Sequence, residues 1–266
     1  MLPRSLSLTL VALGGIAAGA IGMYTLGRTA VAHAAVTTHG EWVKIAAASG
    51  DSMRAYVAYP ERKDKAPAII VIHEIFGLSE WEPTVVDKLA GQGYVAIAPD
   101  LLSPRFGQTP ADGDSGRKLT AQLDPAAVDQ DLDAAYAYLN TLPAVRRGEI
   151  ATIGFCWGGS KSFAYATHNP ALKAAVICYG SAPDSARIAQ IKAPLLGVYG
   201  ESDARITAAL PETERLLTAA GVRYTDHIYP GTGHGFLRPG RKGSDGPAVD
   251  QAWGDILGFY AGVFGK

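Results

Sequence analysis

From residue 35 onward the chain alternates between short apolar runs and longer stretches with helical spacing. Glu41–Ile45 and Met53–Tyr59 alternate polar and apolar positions, the period of a strand with one buried face, and the turn-prone Ser49-Gly50-Asp51 joins them. Ala68–His73 differs: it is a continuous apolar run dense in Ile and Val, as expected of a strand buried on both faces of a mostly parallel sheet. Similar runs recur at Tyr94–Ala98, Ile150–Phe155, Ala174–Cys178 and Leu195–Tyr199, with a further strand at Tyr224–Tyr229. Between them Glu82–Gly91, Ala126–Leu142 and Ala208–Ala220 read as helices. In the second, Val128, Leu132, Ala135, Tyr136 and Leu139 share one face. A last helix is expected over Val249–Phe264. Strands alternating with helical crossovers predict an α/β domain, a mostly parallel central sheet covered by helices on both faces. No internal repeat is visible.

Two segments break the rhythm. Ser103–Pro125 holds Pro104, Gly107, Pro110, Gly113, Gly116 and Pro125 among scattered charges, which reads as a long loop. Such a loop is uncommon unless it walls or covers a site, and the competing reading is a solvated excursion without a role. At the front, no charge falls between Arg4 and Arg28, and Leu6–Leu26 is mostly Leu, Ala, Gly, Ile and Val. With Ala32-His33-Ala34 following, residues 1–34 read as a secretory signal cleaved before Ala35. An uncleaved anchor tethering the protein through residues 5–27 is the alternative, since roughly 20 apolar residues can span a bilayer. Either way residues 35–266 form the folded domain, and the expected address is periplasmic or extracytoplasmic, or membrane-anchored facing the periplasm.

Charge and composition narrow the classes. With 24 Lys+Arg against 25 Asp+Glu, the 266-residue chain has no basic excess, which argues against a nucleic-acid partner. Hydrophobic residues make up 48% and charged residues 18%, which excludes a disordered chain or a charged coiled coil. Cys156 and Cys178 cannot staple a disulfide scaffold, and their spacing matches no zinc site, so neither metal nor cofactor is expected.

The chemistry concentrates in four places. Gly154-Phe155-Cys156-Trp157-Gly158-Gly159 stands where a buried strand ends and a helix begins, the pattern of a nucleophile elbow with Cys in place of Ser. The flanking glycines let strand and helix approach. The Trp157 N–H then points at the substrate oxygen, and the helix N-terminus is expected to lower the thiol pKa from about 8.5. A buried structural cysteine is the bland alternative. Gly200-Glu201-Ser202-Asp203 delivers an acid at a strand tip, and Gly231-Thr232-Gly233-His234-Gly235-Phe236 places a histidine in a glycine-flanked loop. Nucleophile, acid and histidine in that order is the order of the α/β-hydrolase fold. His33, His39, His168 and His227 lack this setting. His73-Glu74-Ile75-Phe76-Gly77-Leu78 follows the first deeply buried strand, the slot that supplies a second oxyanion N–H, and it lacks the second His of a metalloprotease motif. Glu74 reads as an active-site acid, or otherwise as a capping or surface acid. Cys178, in the apolar Ala174-Ala175-Val176-Ile177 context, reads as inert core.

Together Glu74-Ile75-Phe76-Gly77, Ala98-Pro99-Asp100-Leu101, the Cys156 elbow, Gly200-Glu201-Ser202-Asp203 and His234-Gly235-Phe236 closely resemble the dienelactone hydrolase family. The likeness runs from about residue 53 to 260. It implies a Cys156–His234–Asp203 triad working through a thioester, with Ile75 and Trp157 as oxyanion donors. It also implies that Glu74 interacts with the resting thiol and moves when substrate binds, and that arginines bind a substrate carboxylate. Arg238 matches one such position; Arg105 is displaced from the other by about a residue. The implied substrate is a small ester or lactone carrying an anionic group. Rivals are a broad carboxylesterase or thioesterase, a cysteine peptidase or amidase, and a binding protein that keeps the fold without catalysis.

Overall fold

The computed structural model describes residues 37–265; the leader assigned to residues 1–34 lies outside them. Eight strands form a single sheet: β1 (Thr38–Ala46), β2 (Ser52–Pro60), β3 (Ala66–Ile72), β4 (Val95–Pro99), β5 (Val145–Phe155), β6 (Ala175–Cys178), β7 (Leu195–Gly200) and β8 (Tyr224–Tyr229). Their spatial order is β1-β2-β4-β3-β5-β6-β7-β8. β2 runs antiparallel to both β1 and β4, and every pairing from β4 to β8 is parallel. The helices are α1 (Trp81–Gly91), α2 (Ser103–Phe106), α3 (Gly113–Thr120), α4 (Pro125–Thr141), α5 (Trp157–His168), α6 (Ser185–Ile188), α7 (Ala204–Thr207), α8 (Leu210–Ala219) and α9 (Pro247–Phe264).

Alternation along the central strands builds two cores. Ile70 and Ile72 of β3 join Ile150 and Ile177 on one face, where Val128, Leu132, Ala135 and Leu139 of α4 and Phe163 of α5 cover them. Ile69 and Val71 join Ile153 and Phe155 on the other, under Val86 and Leu89 of α1 and Ile256 and Tyr260 of α9. All these side chains are buried. At about 1.5–3 kcal/mol for each large apolar side chain, the two layers supply most of the force that holds the sheet flat against its helices. Among the described residues no helix is long and apolar enough to cross a membrane.

Three departures from the expected elements have physical causes. β1 extends to Thr38 although its first residues are exposed, because backbone pairing runs from Thr38↔Pro60 to Ala46↔Ser52 and needs no apolar signal. β5 likewise begins at Val145, which pairs with Ala66, ahead of the polar Arg146-Arg147-Gly148-Glu149. The segment Ser103–Pro125, expected to be a loop, contains α2 and α3. Its glycines had masked a good cap: the Asp112 carboxylate accepts from the N–H groups of Asp114 and Ser115 at the start of α3.

Candidate active site

β5 ends at Phe155, and the chain turns sharply at Cys156, whose φ of 56° and ψ of −115° lie outside the regions an L-residue prefers. Such a conformation costs about 1–3 kcal/mol and needs surrounding structure to hold it. Here the Cys156 N–H donates to the Cys178 carbonyl at 3.0 Å, and α5 starts at the next residue. The glycines are steric necessities: a Cβ on Gly154 would strike the Gly158 carbonyl, and one on Gly158 would strike the carbonyls of Ile72 and His73.

Asp203 follows the tip of β7 and is buried; His234 lies in the loop after β8. The two parallel strands are neighbours, so their carboxyl ends deliver acid and imidazole side by side. His234 Nδ1 lies 2.5 Å from Asp203 Oδ2, and His234 Nε2 lies 3.0 Å from Cys156 Sγ. A carboxylate only accepts, so Nδ1 carries the proton and Nε2 presents its lone pair to the thiol. The structure thus brings Cys156, His234 and Asp203 together.

The backbone N–H groups of Trp157 and Ile75 act on the Cys156 sulfur in the direction that lowers its pKa. They favour the thiolate, yet the thiol is pushed up from its ordinary value: burial is the largest cause, and the charge of Glu74 is the next. The expected lowering by the helix N-terminus is therefore outweighed. Arg205, just beyond Asp203, offsets part of the rise. Cys178 is fully buried, and its thiol is held well above the ordinary range.

Glu74 is a buried acid and not a surface one, at 2% exposure. Desolvation raises its carboxyl, opposed first by its hydrogen bond to Arg238, whose Nη1 donates to Oε2 at 2.5 Å. The interaction with the resting thiol that the resemblance implies is here one of charge, while the carboxylate is hydrogen-bonded to Arg238 and the sulfur lies against His234. Glu82, read in sequence only as the start of a helix, is a second buried acid. It accepts from the Glu74 N–H at 3.3 Å and from the Ser79 N–H at 2.8 Å and clamps the loop between β3 and α1.

Beside this loop lies a cavity of about 850 Å³ walled by Phe76, Trp81, Thr109, Pro110, Arg238 and Arg241, among others. Cys156 is not in its wall; the connection runs through Phe76, which follows Ile75, and through Arg238. The Ser103–Pro125 segment therefore contributes a wall, through Gln108 to Ala111 and Gly113. Asp100, noted in sequence only as part of a motif, seats that wall. Its carboxylate accepts from the Thr109 N–H at 2.9 Å and the Thr109 hydroxyl at 2.7 Å, while Thr109 Oγ1 accepts from the Leu78 N–H at 2.9 Å.

Arg105 corrects an expectation. Its Nη1 donates to Asp131 Oδ2 at 2.7 Å, and that carboxylate is fully buried on α4. An unpartnered buried carboxylate is costly, so the pair holds the guanidinium at α4, and Arg105 does not line the cavity. Arg241, which sequence reasoning missed, lines the cavity instead. Its guanidinium lies 5.8 Å from the centre of the Phe76 ring, and it makes no ion pair among the described residues. Its position three residues after Arg238 was the available signal. No group of three or more His, Cys, Asp and Glu side chains among the described residues could hold a metal ion.

Comparisons with known proteins agree with this architecture. Residues 53–264 match the dienelactone hydrolase family. A Salmonella typhimurium protein named "Putative carboxymethylenebutenolidase" is 36% identical over 236 residues, covering 82% of this chain and 85% of its own. A Bradyrhizobium protein named "Probable 2-oxo-3-(5-oxofuran-2-ylidene)propanoate lactonase" is 31% identical, covering 82% of this chain and 92% of its own. The crystal structure of a Klebsiella pneumoniae protein described as "Putative Dienelactone Hydrolase" superposes with a TM-score of 0.76 at 30% identity, covering 85% of this chain and 99% of that one.

Proposed function

The chain belongs to the dienelactone hydrolase family, hydrolases of lactone and ester bonds, and from that premise we propose that it cleaves a small, anionic ester or lactone of the dienelactone type through Cys156, His234 and Asp203. The observation that carries this reading is the line of contacts from Asp203 Oδ2 through the imidazole to the sulfur, 2.5 Å and 3.0 Å long.

In this mechanism Cys156 Sγ attacks the carbonyl carbon while its proton passes to His234 Nε2. Asp203 fixes the tautomer and stabilises the imidazolium. The oxyanion is received by the Ile75 and Trp157 N–H groups, preorganised donors worth about 3–4 kcal/mol each. The carbon–oxygen bond breaks, the leaving group takes the proton from His234, at oxygen or, as an enolate that ketonises, at carbon, and a thioester remains. His234 then takes a proton from water, which attacks the thioester and restores the thiol. An enolate leaves readily, so such lactones need less acid assistance than an amide.

Glu74 and Arg238 couple binding to activation. A substrate carboxylate and Glu74 compete for one guanidinium, so an anionic ligand that engages Arg238 frees Glu74 to move. The raised thiol pKa keeps the resting sulfur protonated until then. Export is part of the same proposal. It is supported by the uncharged apolar stretch between Arg4 and Arg28, and the mass of the mature protein tests it.

The decisive experiment compares the wild type with Cys156→Ala on p-nitrophenyl acetate and on a panel of dienelactones, simple lactones and neutral esters. Turnover is expected to vanish in the variant, and dienelactones are expected to have the highest kcat/KM in the wild type. Near-normal rates for the variant refute the assignment.

A further inference from the structure

We propose that His73 is a positioning residue for the oxyanion site: its ring sets the orientation of the peptide that carries the Ile75 N–H and braces the tryptophan whose N–H is the other donor. This rests on the reading above, that those two N–H groups receive the oxyanion.

His73 is the first residue after β3 and is fully buried. Its Nδ1 lies 2.7 Å from the Glu74 carbonyl oxygen. A carbonyl can only accept, so Nδ1 is the protonated nitrogen. Nε2 is buried with no hydrogen-bond partner among the described residues, so Nδ1 makes the ring's polar contact. Leaving a buried nitrogen unpaired costs about 1–3 kcal/mol, and the fold retains the imidazole nonetheless.

The contact matters because of where that carbonyl sits. Glu74 C=O and Ile75 N–H belong to one planar peptide unit, which is trans, as no cis peptide occurs among the described residues. In a trans unit the two groups point in opposite directions, so a donor that holds the oxygen also aims the N–H. The Gly77 N–H donates to the same oxygen at 3.2 Å and closes the turn, leaving the His73 contact the shorter of the two. The Ile75 N–H points the other way, and its influence on the Cys156 sulfur is to favour the thiolate.

The second element is the stack. The His73 and Trp157 rings lie 5.3 Å apart between centroids, at 12° to each other. Backbones approach closely at the same place, as a Cβ on Gly158 would strike the His73 carbonyl. One imidazole therefore touches both halves of the oxyanion site, the β3 loop by hydrogen bond and the start of α5 by stacking. Among the described residues it makes no hydrogen bond to the Cys156 sulfur.

Two variants separate the contacts. His73→Phe keeps an aromatic ring on Trp157 and deletes the donor; His73→Asn keeps a donor at the position of Nδ1 and deletes the ring. The rate of acylation by p-nitrophenyl acetate is compared with the rate of alkylation by iodoacetamide, which displaces iodide and develops no oxyanion. His73→Phe is expected to lower kcat and the acylation rate by about 30-fold, within the range for a weakened oxyanion donor. Its KM should change less than about threefold, and the alkylation rate, which feels that N–H only through the thiolate, should fall far less than acylation. His73→Asn should recover most but not all of the lost rate, the remainder reflecting the missing stack on Trp157. Equal losses in acylation and alkylation, an unchanged kcat in His73→Phe, or a defect in His73→Asn alone would each overturn the proposal. If His73→Phe does not fold, His73→Leu is judged by the same criteria. If Cys156→Ala remains active the mechanism itself fails, whereas Cys156-dependent turnover with a normal His73→Phe sinks only this role.

Discussion

Arg238 Nη1 lies 2.5 Å from Glu74 Oε2, and this contact joins the acid that raises the Cys156 thiol to a guanidinium in the cavity wall. In the proposed function, reactivity and recognition both depend on this one ion pair. Either partner can be altered alone, and the outcomes differ.

Removing the charge acts on the sulfur. Glu74→Gln deletes the second cause of the raised thiol pKa and leaves the first, burial, in place. A thiol relieved of a nearby negative charge ionises at lower pH, so the pH profile of alkylation should move to the acid side. Alkylation at neutral pH should quicken several-fold, and inactivation by peroxide should quicken with it, because both proceed through the thiolate. An unmoved profile would mean that Glu74 does not govern the thiol.

Removing the cations acts on recognition. Arg238→Ala should raise KM for anionic lactones about tenfold or more, the scale of a charge-assisted hydrogen bond. It should spare neutral esters. Arg241→Ala should give a smaller rise of about two- to fivefold, as expected of an exposed charge. Equal effects on charged and neutral substrates would rule out carboxylate recognition by either residue. Arg105→Ala should cost stability and leave the anionic preference intact, because its partner is Asp131.

Asp100 governs the wall without touching the chemistry. Asp100→Ala strands the Thr109 and Leu102 N–H groups, both satisfied by its carboxylate. A loss of about 2–3 kcal/mol is expected, the cost of leaving buried polar groups unpaired. Thermal unfolding measures it. KM should rise more than kcat falls, since Cys156, His234 and Asp203 keep their contacts; a selective fall in kcat would contradict this division.

Much of the scaffold was legible because burial writes itself into composition. Strands such as β3, buried on both faces, must be apolar throughout, and the elbow at Cys156 tolerates only glycine at 154 and 158. Both constraints are local and readable. The strand-end positions of Asp203 and His234 followed from chain order and the geometry of parallel sheets. What stayed hidden depends on distant partners. Nothing near Arg105 signals that Asp131, a helix away, would bind it, and nothing near Glu82 signals that it would hold the backbone of Glu74. The balance at the thiol was equally invisible. The helix N-terminus is evident from the sequence, but the burial and the charge that outweigh it arise only on folding. α2 and α3 were missed for a different reason, because glycine and proline dominate their surroundings while a single Asp112 carboxylate starts α3.

The segment between Leu102 and Asp124 is fastened to the rest of the molecule by side-chain ties at few points, Thr109 on Asp100 and Arg105 on Asp131 among them. Leu123 and Leu119 pack into the core, so it is the stretch ahead of Leu119 that resembles an exchangeable cassette. A replacement of different length that kept a threonine for Asp100 and a cation for Asp131 would reshape the cavity while the sulfur, imidazole and carboxylate stayed where they are. New substrate ranges could then arise in this lineage by swapping one insert.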